Sequence, residues 1–241
     1  MKTPRPFVLL LVVAMLGQTI AGHSQSFKVF KGDTINRTDA KGLKQGVWKK
    51  YYENDQLFSS SVFKDGKATG TTTTYYKTGE KQSEMLHQKD GKTSYMTMYW
   101  PNGKRKASGK YIEQKKDSTW MFYSEQDSLT AIENYKLGKP NGIWKVYYSN
   151  GKVSEVTTWT DGVKNGASTS YFANGTLKAA SNYKNGSLEG AYTINHPNGK
   201  PYISGGYTKG LMQGLWKYNA DNGNLDSVHT YIKGVRQLPK N

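Results

Sequence analysis

From residue 46 onward, short runs in which aromatic or β-branched residues alternate with polar ones are cut by glycine at a fixed interval. Gly46, Gly70, Gly142, Gly166, Gly190 and Gly214 fall in register every 24 residues, and Ser94 and Ser118 hold the two remaining places. Five residues beyond each lies a column of Tyr51, Tyr75, Tyr99, Tyr123, Tyr147, Tyr171, Asn195 and Asn219. A second column reads Phe63, His87, Tyr111, Tyr135, Trp159, Tyr183, Tyr207 and Tyr231. A third carries Trp48, Trp120, Trp144, Tyr192 and Trp216, with smaller residues or Met in its other places. Eight copies spanning residues 46–237 without an insertion define a repeat domain.

Each copy contains two turn signals. One is Asn-Gly, as at Asn102-Gly103, Asn150-Gly151, Asn174-Gly175, Asn198-Gly199 and Asn222-Gly223. Both residues tolerate positive φ, so between β-forming runs the pair predicts a tight hairpin. The other is a Gly-x-x-x-Gly stretch, such as Gly138 to Gly142 or Gly162 to Gly166. Runs such as Ile143 to Tyr148 lie between the turns, so each repeat is expected to be a hairpin joined edge to edge with the next. A helix would lose about 1 kcal/mol at every glycine and has no uninterrupted window in which to form. The expected fold is therefore all-β: an elongated antiparallel hairpin ribbon of sixteen repeat strands, on the order of 75 Å long at the usual strand spacing. Residues 26–45 read as a capping half-repeat, with Gly42 in register with Gly66, and residues 238–241 as a short tail.

The first 25 residues follow a different logic. Lys2 and Arg5 precede the apolar run Phe7 to Leu16, and a small, polar flank ends at Gly22-His23-Ser24. That order predicts a secretory signal peptide cleaved near Gln25, with an uncleaved N-terminal anchor as the alternative. The protein is thus expected to be exported, to the periplasm or the exterior. The absence of cysteine excludes lipoprotein anchoring, disulfides, thiolate nucleophiles and Cys-type zinc sites.

Composition fits a thin structure better than a thick core. Hydrophobic residues make up only 35% of the chain, yet 13% are aromatic, too many for a disordered segment. No catalytic constellation emerges. His87, His196 and His229 are the histidines left beyond the targeting segment, and none has the i, i+4 spacing of a zinc helix. Asp221 and Asp226 flank a turn with no apolar pocket in view, and no serine sits in a nucleophile elbow. No enzyme activity, metal or cofactor is expected.

Binding remains, and the formal charge of +16 shapes it. Basic residues cluster at the turns, among them Lys104, Arg105 and Lys106 at a hairpin tip and Lys115, Lys116, Lys139 and Lys164 between repeats. Rows of charge about 10 Å apart would reinforce one another at physiological salt and attract anionic lipid, glycan or an acidic protein. The same lysines would also keep a long sheet soluble and block edge pairing. The aromatic columns are equally two-sided: a packing ladder, or a contact face built from Trp48, Trp120, Trp144, Trp216, Tyr147 and Trp159. A protein is the first expected partner and an anionic lipid or glycan the alternative; nucleic acid is not expected outside the cell.

The run Gly142-Ile-Trp144-Lys-Val-Tyr147-Tyr148-Ser-Asn150-Gly151, closed by Tyr-x-x-Gly-x-x-x-Gly, resembles the bacterial MORN-repeat variant family that includes the YwqK-like antitoxins. The resemblance covers about four-fifths of the chain. It implies a hairpin ribbon with a scaffold or binding role, and the antitoxin members imply neutralisation of a partner by direct contact. The hairpins are also similar to choline-binding wall repeats, which are shorter; that likeness implies glycan or choline binding. Three places depart from the repeat pattern: the threonine run Thr71 to Thr74, Gln126-Asp127 at an Asn-Gly position, and Asp90-Gly91 one residue out of phase.

Overall fold

The computed structural model describes residues 25–30 and 32–238. The expected signal peptide, apart from Gln25, and the tail beyond Leu238 lie outside the described residues. Within them the chain forms 21 strands in one antiparallel sheet and no helix. Strands pair in chain order, from Ser26–Phe30 on Asp33–Thr38 at one end to Leu225–Ile232 on Val235–Gln237 at the other. The expected hairpin ribbon is therefore what the chain builds. The strand number exceeds sixteen because a two-strand cap precedes the repeats, a closing strand follows them, and two repeat strands are interrupted. Those interruptions separate Lys139–Pro140 from Gly142–Tyr147 and Ser187–Leu188 from Gly190–Asn195, each beside a glycine with positive φ.

The cap is joined by a side chain acting as backbone. Asn36, at φ 57°, donates from Nδ2 to the Lys49 carbonyl and accepts from the Lys49 N–H, at 3.0 and 2.7 Å. Phe30 then stacks on Tyr51 with ring centroids 4.1 Å apart.

The two kinds of turn exchange the roles expected of them. Between repeats, Asp65-Gly66, Asp161-Gly162 and Asn185-Gly186 have both residues at positive φ, 49° and 77° in the first case. That is the two-residue type I′ hairpin geometry. At Asn102-Gly103 only the glycine is positive, at 79°. Trp100 donates its N–H to the Lys104 carbonyl and Gly103 donates to the Trp100 carbonyl, a three-residue loop closed by a glycine bulge. The asparagine is held out of the left-handed region by its own side chain, whose Oδ1 accepts from the Lys104 N–H at 3.0 Å. Asn150, Asn198 and Asn222 make the same contact.

Strand alternation sorts side chains onto two faces. On one, the indole and ring columns interleave: Trp120 lies 5.0 Å from Tyr111, Trp144 lies 5.2 Å from both Tyr135 and Trp159, and Trp216 lies 5.1 Å from Tyr207. Lysines close this layer from above. The Lys44 ammonium sits 4.5 Å over Trp48 and 4.8 Å over Phe63, Lys116 covers Trp120 and Tyr135, and Lys164 covers Trp159 and Tyr183. The opposite face is left to water, and carries the cross-strand pairs Val47–Val62 and Leu86–Tyr95 with all four side chains exposed. Among the described residues only Ile35, Ala107, Trp120 and Trp216 are buried hydrophobic side chains, so the sheet is a single layer with almost no interior.

Repeats are also tied sideways by a column next to the tyrosines. Tyr52, Tyr76 and Tyr148 each donate a phenol hydroxyl to the carbonyl 23 residues ahead, at 2.7–2.8 Å, and the Trp100 indole does so at 3.1 Å. Asn102, Asn150 and Asn198 repeat the 23-residue reach at the hairpin tips.

The deepest contacts are two indoles laid on glycine. A methyl group at Gly109 would come within 2.3 Å of the Trp120 ring, and one at Gly205 within 2.2 Å of the Trp216 ring. Gly109→Ala and Gly205→Ala should each lower stability by about 1–3 kcal/mol through overpacking, read as a fall in the urea midpoint. A wild-type midpoint in either variant would show that these indoles are not packed as described.

Candidate functional site

The repeat rule fails in one region, and there the aromatic face opens. In a typical repeat, a residue with positive φ at the register position, such as Gly70, Gly142 or Gly166, forms a bulge that steps the strand; Ser118 does so as well, at φ 59°. Ser94 does not. The strands Lys81–His87 and Thr93–Tyr99 pair without a register shift, from Ser83 opposite Met98 to His87 opposite Ser94. The surplus residues pass into the connecting turn, where Gln88 donates to the Thr93 carbonyl and the Asp90 carboxylate caps the N–H groups of Lys92 and Thr93. Hydrogen bonding in that cap, first from Thr93, lowers the Asp90 pKa.

Four substitutions widen the opening. Thr72 and Met96 stand in two successive indole positions, His87 stands in the ring column, and Ala68 occupies the place that Lys44, Lys116 and Lys164 hold in other repeats. Lys92, also in that lysine column, pairs with Glu113 at 3.2 Å. The result is a groove of about 750 Å³ bounded by Lys67, Ala68, Met85, His87, Ser94 and Tyr111, with Lys92 and Glu113 at its rim. The only other described repeat with a residue smaller than Met in the indole column is that of Ser168. There the neighbouring ring is Trp159, and Lys164 lies across it at 5.7 Å.

His87 is fixed in the groove by a 2.9 Å hydrogen bond between Nε2 and the Thr72 hydroxyl. Burial holds its imidazole below the usual pKa and raises that of the Tyr111 phenol. Ser94 is buried opposite His87 on the neighbouring strand, and Ser83, buried four residues earlier, bonds the Thr74 hydroxyl at 2.7 Å. Among the described residues no three His, Asp or Glu side chains gather as metal ligands.

The residues expected to form one contact surface are dispersed. Trp120 and Trp216 are 1% and 2% exposed, so they are packing groups and not contact residues; their carriers, Gly109 and Gly205, leave the rings no reason to stand proud. Trp48, Trp144 and Trp159 remain half-buried on the same face. Tyr147 falls three residues after Trp144 on the alternating strand and so points to the opposite face. Its equivalent Tyr123 does the same, donating to the Met121 sulfur there. The basic residues divide between the two long edges of the ribbon: Lys104, Arg105 and Lys106 at one, Lys115, Lys116, Lys139 and Lys164 at the other. Lys104, Arg105, Lys115 and Lys139 are exposed, whereas Lys106 lies 4.3 Å over Trp100 and Lys116 and Lys164 serve as lids.

Sequence reasoning singled out His87 and the Thr71 to Thr74 run but not the lysine column or the groove that its lapse creates. The available signal was Ala68 at a 24-residue position held by lysine in four repeats, at Lys44, Lys92, Lys116 and Lys164, and by Pro140, Leu188 and Met212 in the others.

Three segments of the chain, residues 44–65, 140–161 and 164–185, match the MORN repeat variant. No curated protein matches the chain. Among solved structures, similarity extends to the crystal structure of TarM, with 12% identity over 44% of this chain and 20% of that one and a TM-score of 0.31. It extends also to that of TcdB2-TccC3-TEV, with 14% identity over 83% of this chain and 14% of that one and a TM-score of 0.23. The chain spans about a fifth or less of the length of these proteins.

A histidine held neutral by burial makes stability depend on pH in one direction. The unfolded chain protonates first, so stability falls as pH drops below about 6.5 toward the lowered folded value. The melting temperature should therefore decline between pH 7.5 and pH 5, and His87→Phe, which restores a ring to the column, should flatten that decline. An unchanged slope in the variant would remove His87 as its source.

Proposed function

We propose that this protein is an exported, non-enzymatic scaffold that binds another macromolecule, a protein in the first instance. Three MORN-variant repeats support a repeat binding scaffold. The observation that carries the reading is the single-layer sheet: both faces and both edges are open to a partner, and only four described hydrophobic side chains are buried. Catalysis generally needs reacting groups held where water is excluded, and a ribbon of this kind instead offers length and a repeated surface. The basic segment Lys2 to Arg5 and the apolar run Phe7 to Leu16 support export. The surfaces open to a partner are the groove lined between Lys67 and Gln114 on one face and the exposed Val47, Leu86, Tyr95 and Ile143 on the other. Neutralisation of a single toxin-like protein, as the antitoxin resemblance implies, is one form this binding would take.

The exposed turn residues Lys104, Arg105, Lys115 and Lys139 favour a second reading, attachment to an anionic lipid or glycan of the envelope. The two readings separate in an affinity capture from the producing cell's envelope, washed at low and high salt. A scaffold retains one protein through the high-salt wash. Recovery of lipid or glycan alone, released by salt, would replace it with the anchoring reading, because screening removes attraction between exposed charges. Localisation is checked separately: the protein should be found outside the cytoplasm, shortened at or near Gln25.

A further inference from the structure

At three other places on the aromatic face a ring comes with a lysine cover, while Pro140, Leu188 and Met212 stand in the same column before Trp159, Tyr207 and Tyr231. Phe63, Tyr135 and Tyr183 each lie within 5.2 Å of a lysine ammonium, from Lys44, Lys116 and Lys164 respectively. Over His87 the corresponding position is Ala68, and over Tyr111 it is Lys92, which is drawn aside to Glu113. Two neighbouring rings thus share one groove where the protein's own lids are missing, and Met85 and Ala68 give it an apolar floor and wall.

The cover used at those rings is a cation, but a cation from outside would meet Lys67 and Lys92 against the single carboxylate of Glu113, on a chain with formal charge +16. A neutral planar ring avoids that cost. It would lie against the Tyr111 and His87 rings in offset or edge contact, while carboxylates beside it in sequence would face Lys67 and compete with Glu113 for Lys92. The groove is open along its length and, at about 750 Å³, is larger than one ring, so a chain segment can enter and leave on either side.

We propose that this groove is a docking site for a tryptophan side chain carried on an acidic segment of a protein partner. The proposal rests on the scaffold reading above and specifies which part of the ribbon takes hold of the partner. The ring supplies the anchor and the flanking carboxylates supply orientation, the usual division between buried aromatic hot spot and charged rim.

The test uses the whole protein with its methionine methyl groups labelled for NMR, titrated with acetyl-Asp-Asp-Trp-Asp-Asp-amide. The Met85 methyl resonance should shift on titration. The same peptide with Leu for Trp, or with Lys for every Asp, should bind at least about tenfold more weakly, the loss typical of one anchor. Ala68→Lys places in the groove the lid that Lys44 supplies in its own repeat, and should weaken the tryptophan peptide by a similar factor. An unmoved Met85 signal, equal binding of the leucine or lysine peptide, or undiminished binding to the Ala68→Lys variant would each overturn the proposal. In envelope capture, a partner held equally by wild type and by Ala68→Lys would overturn the groove as docking site while leaving the scaffold standing.

Discussion

A sheet one layer thick has nothing packed above it, so every apolar side chain must find its partner sideways. That constraint accounts for most of this molecule. A 24-residue repeat brings each residue beside its own equivalent, so a ring meets rings, a tyrosine hydroxyl meets the carbonyl 23 residues ahead, and an asparagine at one hairpin tip reaches the next tip. No single contact is large. A hydrogen bond of this kind contributes about 1 kcal/mol, and stability accumulates through neighbours as it does in other one-dimensional arrays. The lysine lids belong to the same economy of contacts. With no second layer to cover the indoles, the aliphatic stems of Lys44, Lys116 and Lys164 cover them and leave the ammonium groups over the rings.

The same logic makes any break in the pattern visible. Where Ser94 declines the left-handed conformation that Ser118 accepts, the bulge moves into the turn, Lys92 turns to Glu113, and the aromatic layer is left open above His87 and Tyr111. A globular protein would fill such a gap from an adjoining element. Among the described residues none packs over it, so the opening remains as a surface feature, and a scaffold with two open faces gains one place with a distinct shape.

Periodicity carried the fold into plain view because register along the chain is register across the sheet. Strand order, the position of every turn and the ring columns follow from spacing alone. What depends on contacts between neighbouring repeats was less legible. The indoles look alike in sequence, yet Trp120 and Trp216 are buried while Trp48 and Trp144 are not; the difference is a glycine eleven residues earlier, Gly109 or Gly205, where Trp144 has Glu133. Asn-Gly suggested a tight turn with both residues at positive φ, but the hydrogen bond that the N–H two residues on donates to Oδ1 decides against it. Tyr147 was grouped with Trp144 by closeness in sequence, whereas an odd spacing on a strand places the two on opposite faces. The basic residues formed a single set on paper and two separate edges in space, several of them already engaged with rings.

The described residues form an extended single-layer ribbon held by contacts between adjacent repeats. Small-angle scattering of the protein from Gln25 onward is the decisive measurement. A flat assembly on the order of 80 Å long has a radius of gyration of about 25 Å, whereas a compact globule of this length gives about 17 Å. A value near the first, with the pair-distance distribution skewed toward long distances, is the predicted result. A value near the second, with a symmetric distribution, would contradict the ribbon and every surface described on it.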